Sequence, residues 1–360
     1  MLTEIDEGIR MQRHQFRVLT WALVFYAICA WPLSVSAQEL CGIDSIFYDG
    51  FETTTTNPAT TTTPGAILSP GIATSITGPS LAVTVTYPAN GATVNGPTTE
   101  IAGTFTGPTD TGITVNGVVA YTDGGNFLAS AVPLQTGPNT INVAATTITG
   151  ATASTSLSLT QGSATPSVVT LSVTRPTSYA PFLVNFTPTV GTLPGGATVT
   201  MLSIDYNGDG IDDVTNPTPG TPLTYLATQP NLYAARLTVK DSNNVTYTAY
   251  VHYLVEDARR QTGMLCDVYG YLKQRLTAQD STGALTAIDP NTQAEFQPLF
   301  TNNASTLPAY VANLGNIVDG YLSGRTATFI VVRQNPDLTL SGYHMEYTQG
   351  ADGTWRISGM

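Results

Sequence analysis

The sequence predicts a mainly β protein with two tandem antiparallel β-sandwiches followed by a small α+β domain. Two observations support this prediction. Between Leu81 and Val255, short runs of alternating apolar and polar residues recur at even spacing, separated by Gly, Pro and Asn turns without a helical period between them. Beyond about residue 257, apolar residues recur three and four positions apart, and strand-like runs follow. The folded parts are therefore assigned to residues 81–161, 165–256 and 257–360.

The first predicted sandwich covers residues 81–161. Strands are expected at Ala82–Tyr87, Glu100–Thr106, Gly112–Val119, Asn126–Leu134, Asn139–Thr147 and Ala151–Leu159. The runs YPANGATVNGP, ITVNGVVA and PLQTGPNTINVAA resemble bacterial immunoglobulin-like (Ig-like) modules, which are found in cell-surface proteins and in glycan-degrading enzymes. The resemblance implies a sandwich fold and says little about function.

The second predicted sandwich, residues 165–256, carries different landmarks. Ala180–Phe186 reads APFLVNF, Asp205–Gly210 reads DYNGDG, and Tyr233–Asp241 reads YAARLTVKD. In this order the motifs resemble a PKD domain, with its AP-x-x-V-x-F, D-x-x-G-D-G and Y-x-x-x-L-T-V-x-D signatures. The tryptophan that often precedes the first acidic residue is replaced here by Ser203-Ile204. The resemblance implies a second sandwich without assigning a subfamily.

The C-terminal region, residues 257–360, is predicted to be α+β. A first helix is indicated by apolar residues at helical spacing, namely Met264, Leu265, Val268, Leu272 and Leu276. Short helices are expected at Thr292–Phe300 and Thr306–Leu314, and strands at Arg325–Gln334, Leu338–Thr348 and Thr354–Ser358. The closing DGTWRISGM, on an edge strand, resembles the end of a nuclear-transport-factor-2-like (NTF2-like) cone, a fold that implies a cavity.

Residues 1–37 are predicted to be a secretory signal peptide. Basic residues precede an apolar run of 16 residues, Val18–Leu33, and Val35-Ser36-Ala37 supplies small residues at positions −3 and −1 of a cleavage site. This predicts export across the inner membrane, to a secreted or cell-surface location. The alternative is an uncleaved membrane anchor, for which the run is short against the ~20 residues of a membrane span and contains Pro32.

Residues 38–80 are predicted to be a Thr/Pro-rich linker. Thr53–Pro64 reads TTTTNPATTTTP, a composition that cannot pack a core. Ahead of it, Ile46–Glu52 (IFYDGFE) resembles a short element, IFxDGFE, that recurs near the mature N-terminus of secreted proteins from some Gram-negative bacteria. The resemblance supports an extracytoplasmic compartment only.

The charge balance restricts the class of partner. Beyond residue 37 the chain has ten basic and 22 acidic residues, a net charge of −12 that equals the value for the whole chain. A chain this acidic and without a basic patch is not expected to bind nucleic acid or anionic membrane surfaces. An extracellular protein or a polysaccharide is the expected partner, with membrane attachment only through an uncleaved leader.

Two cysteines, Cys41 and Cys266, lie outside the leader. An even pair in an oxidising compartment predicts a disulfide bond. The alternative is that Cys266, on an amphipathic helix, is a small buried apolar residue.

Asp205–Asp213 (DYNGDGIDD) is the strongest local signal for a metal. Oxygen donors at positions 1, 3 and 5 with glycine at position 6 are typical of a calcium loop, and the candidate ligands are Asp205, Asn207, Asp209 and Asp213. Position 12 is Asn216, which lacks the carboxylate of an EF-hand, and the flanking segments are strands. The alternative is a turn whose Asx side chains bind their own backbone.

Catalytic constellations are scarce, and the chain is more consistent with a non-enzyme. His252 and His344 show no metal-ligand spacing, and no serine-nucleophile motif is present. His344 and Glu346 share one face of a predicted strand. The opposite face carries better core residues, namely Tyr343, Met345 and Tyr347, so His344 and Glu346 are expected to face solvent. Asp212 and Asp213, adjacent on a strand, point to opposite faces and cannot flank one glycosidic bond.

Tyrosines concentrate in the second sandwich, at Tyr225, Tyr233, Tyr247, Tyr250 and Tyr253. They would form either a glycan-stacking platform or, as favoured here, the sandwich core.

Together these observations predict a secreted or surface-displayed adhesion or spacer protein. One alternative is an accessory polysaccharide-binding protein of an extracellular hydrolytic system. The other is a small-molecule binder or cavity enzyme in the C-terminal domain.

Overall fold

A computed structural model describes residues 79–163, 166–217, 222–311 and 313–360. The protein is mainly β, as predicted, and we call its three parts the first sandwich (residues 79–163), the second sandwich (166–256) and the C-terminal domain (257–360). The predicted signal peptide, the linker up to residue 78, and Cys41 lie outside the described residues. Within the described ranges, no helix is long and apolar enough to cross a membrane.

The first sandwich contains nine strands in two sheets. They are β1 (Ala82–Tyr87), β2 (Thr93–Asn95), β3 (Thr98–Thr106), β4 (Gly112–Val115), β5 (Val118–Val119), β6 (Tyr121–Asp123), β7 (Asn126–Pro133), β8 (Gly137–Thr146) and β9 (Thr152–Ser163). One sheet has the order β1-β3-β7-β6 and the other the order β2-β9-β8-β4-β5. Alternate residues face inward, so Ile113, Phe127, Ile141 and Leu159 are almost fully buried between the sheets.

One predicted strand of the first sandwich is divided in the structure. Gly112–Val119 was expected to be continuous, but Asn116 and Gly117 have φ angles of 46° and 82° and form a two-residue turn between β4 and β5. An Asn-Gly pair favours this turn because both central positions require positive φ.

The described residues of the second sandwich form eight strands. They are β10 (Val169–Val173), β11 (Thr177–Tyr179), β12 (Phe182–Val190), β13 (Val199–Asp205), β14 (Val214–Thr215), β15 (Thr224–Ala227), β16 (Asn231–Asp241) and β17 (Thr246–Glu256), with a short 3₁₀ turn at Pro194–Gly196. The sheet orders are β10-β12-β15 and β11-β17-β16-β13-β14. Pairing is antiparallel except at one edge of each sandwich, where β2 pairs with β9 and β11 with β17 in parallel.

The C-terminal domain packs helices on one face of a four-stranded antiparallel sheet. The helices are α1 (Ala258–Thr277), α2 (Ser281–Thr286), α3 (Gln293–Asn302) and α4 (Leu307–Val311), with a 3₁₀ turn at Ala304–Thr306. The strands are β18 (Asn316–Ser323), β19 (Thr326–Gln334), β20 (Leu340–Gln349) and β21 (Trp355–Gly359), in sequential order. Leu265, Val268 and Leu272 of α1 pack on Phe329, Val331 and Met345 of the sheet. The edge position predicted for the closing segment is confirmed, whereas α2 and β18 were missed.

The second sandwich continues directly into the C-terminal domain. β17 ends at Glu256, and α1 begins at Ala258. Asp257 between them is the N-cap of α1, and its side chain accepts a hydrogen bond from the N–H of Arg259 at 2.9 Å. Because no spacer separates the strand from the helix, the two parts are held at a fixed separation.

The two sandwiches meet at a small interface of their own. The Glu100 carboxylate lies 2.6 Å from Nδ1 of His252 and accepts the backbone N–H of His252 at 3.1 Å. Beside this pair, Ala102, Leu128 and Leu254 form a buried apolar cluster. Hydrogen bonding and apolar burial therefore act together at this contact.

The first sandwich also contacts the C-terminal domain. Thr109 Oγ1 donates to Asp267 Oδ2 at 2.9 Å, and Arg325 Nη2 donates to the carbonyl oxygen of Val119 at 2.8 Å. Gly112 and Gly353 pack backbone to backbone, since a Cβ atom placed on Gly112 would lie 2.1 Å from the carbonyl carbon of Gly353. Such an approach requires glycine on both sides of the contact.

Candidate functional site

A cleft of about 320 Å³ opens where the first sandwich meets the C-terminal domain. Its first wall is the end of β3 with the following loop, Phe105–Thr111, together with the β6–β7 turn around Asp123 and Gly124. Its second wall is the first turns of α1 and the start of β21. We call this space the junction cleft. Its shape depends on the contact between the two parts.

The apolar lining of the junction cleft comes from both sides. Phe105 is contributed by the first sandwich, whereas Met264 and Trp355 belong to the C-terminal domain. Trp355 is 7% exposed and also belongs to the core of the C-terminal domain, which fixes its position. An apolar wall with a few polar groups is the usual character of a small-molecule site.

Two buried carboxylates line the junction cleft, and each has one oxygen without a hydrogen-bond partner among the described residues. Asp110 is 2% exposed and Asp123 is 6% exposed, and the unpartnered atom is Oδ1 in both. Asp110 Oδ2 accepts the N–H of Ile148 at 2.7 Å, and Asp123 Oδ2 lies 3.4 Å from Nη1 of Arg260. Leaving a buried acceptor without a hydrogen bond destabilises the folded state by about 1–3 kcal/mol, so each of these oxygens is expected to bind a hydrogen-bond donor.

Burial sets the protonation of these acids. It raises the pKa of Asp123 to about 6, against the opposing effects of the Arg260 charge and of the backbone N–H of Asp257. Burial likewise raises the pKa of Asp110, an effect opposed by the N–H of Ile148 and the charge of Arg356. Glu256, beside the cleft, has its pKa raised to about 7 by burial, while the Thr177 hydroxyl lowers it and the charge of Asp123 raises it. With a pKa of about 6, Asp123 is therefore largely ionised at neutral pH and acts as an acceptor.

Arg260 and Gln261, at the start of α1, connect the cleft walls. Gln261 Nε2 donates to the carbonyl oxygen of Thr122 at 2.7 Å. The Arg260 guanidinium lies over Gly124, where an added Cβ atom would be 1.9 Å from Nη1. Gly124 has a φ of 57°, so glycine is favoured there both by the backbone conformation and by the arginine.

The predicted calcium loop is held by its own hydrogen bonds. The two carboxylate oxygens of Asp205 accept the N–H groups of Gly208 and Gly210, at 2.7 and 2.9 Å. Asp213 Oδ2 accepts the N–H of Tyr206 at 2.6 Å. Asn207 and Asp209 form Asx turns of the same kind and bond each other, with Asn207 Nδ2 at 3.0 Å from Asp209 Oδ2. These contacts are those expected of the turn interpretation.

Arg236 supplies the positive charge at this loop. Its Nη2 lies 3.5 Å from Asp205 Oδ2 and 3.3 Å from Asp212 Oδ1. In the part of the chain that the structure describes, no group of three or more acidic, histidine or cysteine side chains is placed to hold a metal ion. Calcium binding at Asp205, Asn207, Asp209 and Asp213 stays a prediction.

The remaining candidates are distributed through the fold. His344 and Glu346 are exposed while Met345 and Tyr347 are buried, as the strand alternation predicted. His252, which suggested no function, contacts Glu100 at the interface between the sandwiches. Cys266 is disulfide-bonded. Since its partner lies outside the described residues, the pairing with Cys41 stays a prediction.

The tyrosines of the second sandwich mostly serve its core. Tyr253 is fully buried, stacks on Tyr233 with ring centroids 5.0 Å apart, and donates a hydrogen bond to the carbonyl oxygen of Tyr206 at 3.0 Å. Tyr225 lies beside Tyr206 in the same aromatic cluster. Tyr250 differs, with 48% of its surface exposed. The sequence pattern therefore predicted the core role of most of these tyrosines, but it did not predict the junction cleft, whose two aspartates lie in a different module from Arg260.

No protein-family model matches this chain, and no curated protein matches it. Solved structures do align with parts of it. Fibronectin(III)-like modules of CbhA from Clostridium thermocellum are 12% identical and align over 49% of this chain and 96% of their own, with a TM-score of 0.20. An NTF2-like transpeptidase from Campylobacter jejuni is 13% identical over 25% of this chain and 92% of its own, with a TM-score of 0.19.

A third similar structure is SGBP-B of the Bacteroides ovatus mixed-linkage glucan utilization locus, in complex with a mixed-linkage heptasaccharide. It is 12% identical, and the alignment covers 49% of this chain and 48% of that one, with a TM-score of 0.18. Domains of titin and the four N-terminal Ig domains of Dscam1 align at similar TM-scores. Likenesses at this level carry no argument about function, so the functional conclusion rests on the geometry of the chain itself.

Proposed function

We propose that this chain is a secreted or cell-surface modular protein for adhesion or spacing, whose three folded parts form one rigid head that presents a binding surface. The observation that supports the proposal is the direct contact of each part with the other two. His252 and Glu100 join the sandwiches, Arg260 and Asp123 join the first sandwich to the C-terminal domain, and β17 runs into α1 without a linker.

A rigid head suits this role because a binding surface built from two modules keeps its geometry only if the modules do not move independently. Modules that are merely tethered move relative to one another by default. Here polar contacts at module boundaries are combined with the apolar cluster of Ala102, Leu128 and Leu254. The Ig-like and PKD-like assignments, and export directed by residues 1–37, belong to this proposal.

The proposed accessory polysaccharide-binding role is favoured by one further feature, the junction cleft. Its walls combine apolar side chains with hydrogen-bond acceptors that face no donor among the described residues. The cleft opens between the first sandwich and the C-terminal domain, so a small-molecule role would involve both parts rather than the C-terminal domain alone.

A pull-down of the full chain on insoluble polysaccharides and on whole bacterial cells tests the binding role. We expect retention on at least one of these, because a rigid multi-module surface is proposed to serve as a binding surface. The experiment is run with calcium and with a chelator, and with Asp209→Asn, which removes an exposed candidate ligand while Asn keeps the acceptor for the Ile211 N–H.

Equal retention with calcium and with chelator is expected from the internally bonded loop. Retention that needs calcium and is lost in Asp209→Asn would instead support the calcium site. No retention on any polysaccharide or cell would contradict the binding role and leave a spacer.

A further inference from the structure

The two unpartnered carboxylate oxygens of the junction cleft require hydrogen-bond donors rather than a further charge. The Asp123 carboxylate faces the Arg260 guanidinium, with Oδ2 3.4 Å from Nη1, and the positive charge of Arg356 acts on Asp110. The further acids Asp257 and Asp267, which lie on the α1 side, also act on these two carboxylates. A cationic ligand would meet Arg260 at the cleft, and an anion would meet the carboxylates. A neutral donor avoids both penalties.

The unpartnered oxygens specify how such a ligand would bind. Asp110 Oδ1 and Asp123 Oδ1 are acceptors, so the ligand must carry N–H or O–H groups. Hydrogen bonds from neutral groups to ionised carboxylates are among the stronger polar contacts in proteins. A ligand that offers hydroxyl groups would satisfy both atoms without bringing charge.

The apolar lining adds a second requirement. Phe105, Met264 and Trp355 form walls on which a ligand must place apolar C–H surface. A sugar ring has hydroxyl groups around its rim and C–H groups on its faces, so one molecule meets both requirements. The volume of about 320 Å³ is near the lower end of the ~300–1,000 Å³ usual for ligand sites, which suits the end of a glycan rather than a long stretch of it.

We propose that the junction cleft binds the terminal unit of a neutral glycan, with Asp110 and Asp123 accepting its hydroxyl groups and Trp355 lining the apolar wall. The inference rests on the proposed binding role and extends it by naming the site and the class of ligand. It also assigns a purpose to the junction, because the cleft exists only while the first sandwich and the C-terminal domain are in contact.

Trp355 provides a direct readout. The chain has three tryptophans, at positions 21, 31 and 355, so the full chain with Trp21→Phe and Trp31→Phe reports on the cleft alone. We expect a saturable change in tryptophan fluorescence on titration with at least one of glucose, galactose, mannose, xylose, cellobiose or lactose. Butylamine, a small primary ammonium cation, is expected to give none.

Three variants locate the site. Asp110→Asn and Asp123→Asn each replace one carboxylate oxygen with an NH2 group, which donates hydrogen bonds and does not accept them. Each variant is expected to weaken binding at least tenfold. Thr109→Arg changes an exposed residue at the cleft and is expected to block entry. It replaces the hydroxyl that donates to Asp267 with a guanidinium that can pair with the same carboxylate, so the contact between the two parts is expected to persist. The matched control is Asp241→Asn in the second sandwich, which is as buried but accepts bonds from Asn243, Val245 and Tyr247. It is expected to bind as the parent does.

Several results would overturn the inference: no saturable change with any sugar in a folded protein, saturation by butylamine instead, or binding unaltered in both Asp110→Asn and Thr109→Arg. If Asp123→Asn fails to fold, the results for Asp110→Asn and Thr109→Arg decide whether the ligand binds in the junction cleft. Failure of the sugar titration is distinguishable from failure of the binding role. Retention on cells or polysaccharide without a fluorescence change would support the binding role and would show that the binding surface lies outside the junction cleft.

Discussion

Gly112→Ala is expected to detach the C-terminal domain from the first sandwich. The added methyl group would lie 2.1 Å from the carbonyl carbon of Gly353 and 2.4 Å from the amide nitrogen of Thr354. These are backbone atoms that cannot rotate away, so the turn before β21 must move. Overpacking of this kind costs about 1–3 kcal/mol. The expected result is faster amide exchange around residues 350–355 and a red-shifted emission from Trp355.

Gly270→Ala is the matched control for this substitution. Gly270 lies within α1, and a Cβ atom there meets no other atom within 4 Å. Alanine in a helix is favoured over glycine by about 1 kcal/mol, so this variant should be as stable as the parent or slightly more stable. If Gly112→Ala shows unchanged exchange and unchanged stability, the close approach of Gly112 and Gly353 does not hold the two parts together.

Glu256→Gln is expected to stabilise the protein at pH 8 and to leave its stability at pH 5 nearly unchanged. Burial raises the pKa of Glu256 from 4.5 to about 7, so the folded state binds more protons than the unfolded state between these values. Stability must therefore fall as the pH rises through this window. The penalty at pH 8 is at most about 3 kcal/mol, because the residue keeps some contact with solvent. Glutamine removes it and can still accept the Thr177 hydroxyl hydrogen bond.

Urea unfolding at pH 5, 6, 7 and 8 measures this effect. Asp123, whose pKa is raised to about 6, shifts stability in the same direction, so the variant should show a shallower pH dependence rather than none. Glu346→Gln, an exposed carboxylate on β20, should behave as the parent does. Parent stability that rises between pH 5 and pH 8, or a Glu256→Gln curve that overlies the parent curve, would contradict the assignment of a buried acid at this junction.

Local sequence patterns accounted for most elements of the fold. The alternation in AVTVTY and the helical spacing from Met264 to Leu276 predicted β1 and α1, since each pattern is set by residues that are close in sequence. The edge strand β18, Asn316–Ser323, was missed because its register shifts between Ile317 and Asp319, which breaks the alternation. The turn at Asn116-Gly117 could have been predicted from the Asn-Gly pair.

The candidate site could not be predicted in the same way. In the first sandwich, Asp110 lies in a turn and Asp123 at the end of β6, whereas Arg260 and Trp355 lie in the C-terminal domain. Only the packing of two modules brings these residues to one cleft, and no short motif records that packing. Conversely, Asp205–Asp213 carries a strong local motif, and the structure shows the same side chains bonded to their own backbone. A motif specifies donors, but the loop conformation decides what they bind.

Amide residual dipolar couplings of the isotope-labelled protein would test most directly whether the three parts form one rigid head. We expect a single alignment tensor to fit the couplings measured from residues 79–163, 166–256 and 257–360 together. Tensors that differ in magnitude or orientation among the three parts would show independent motion and would contradict both the rigid head and the cleft that depends on it.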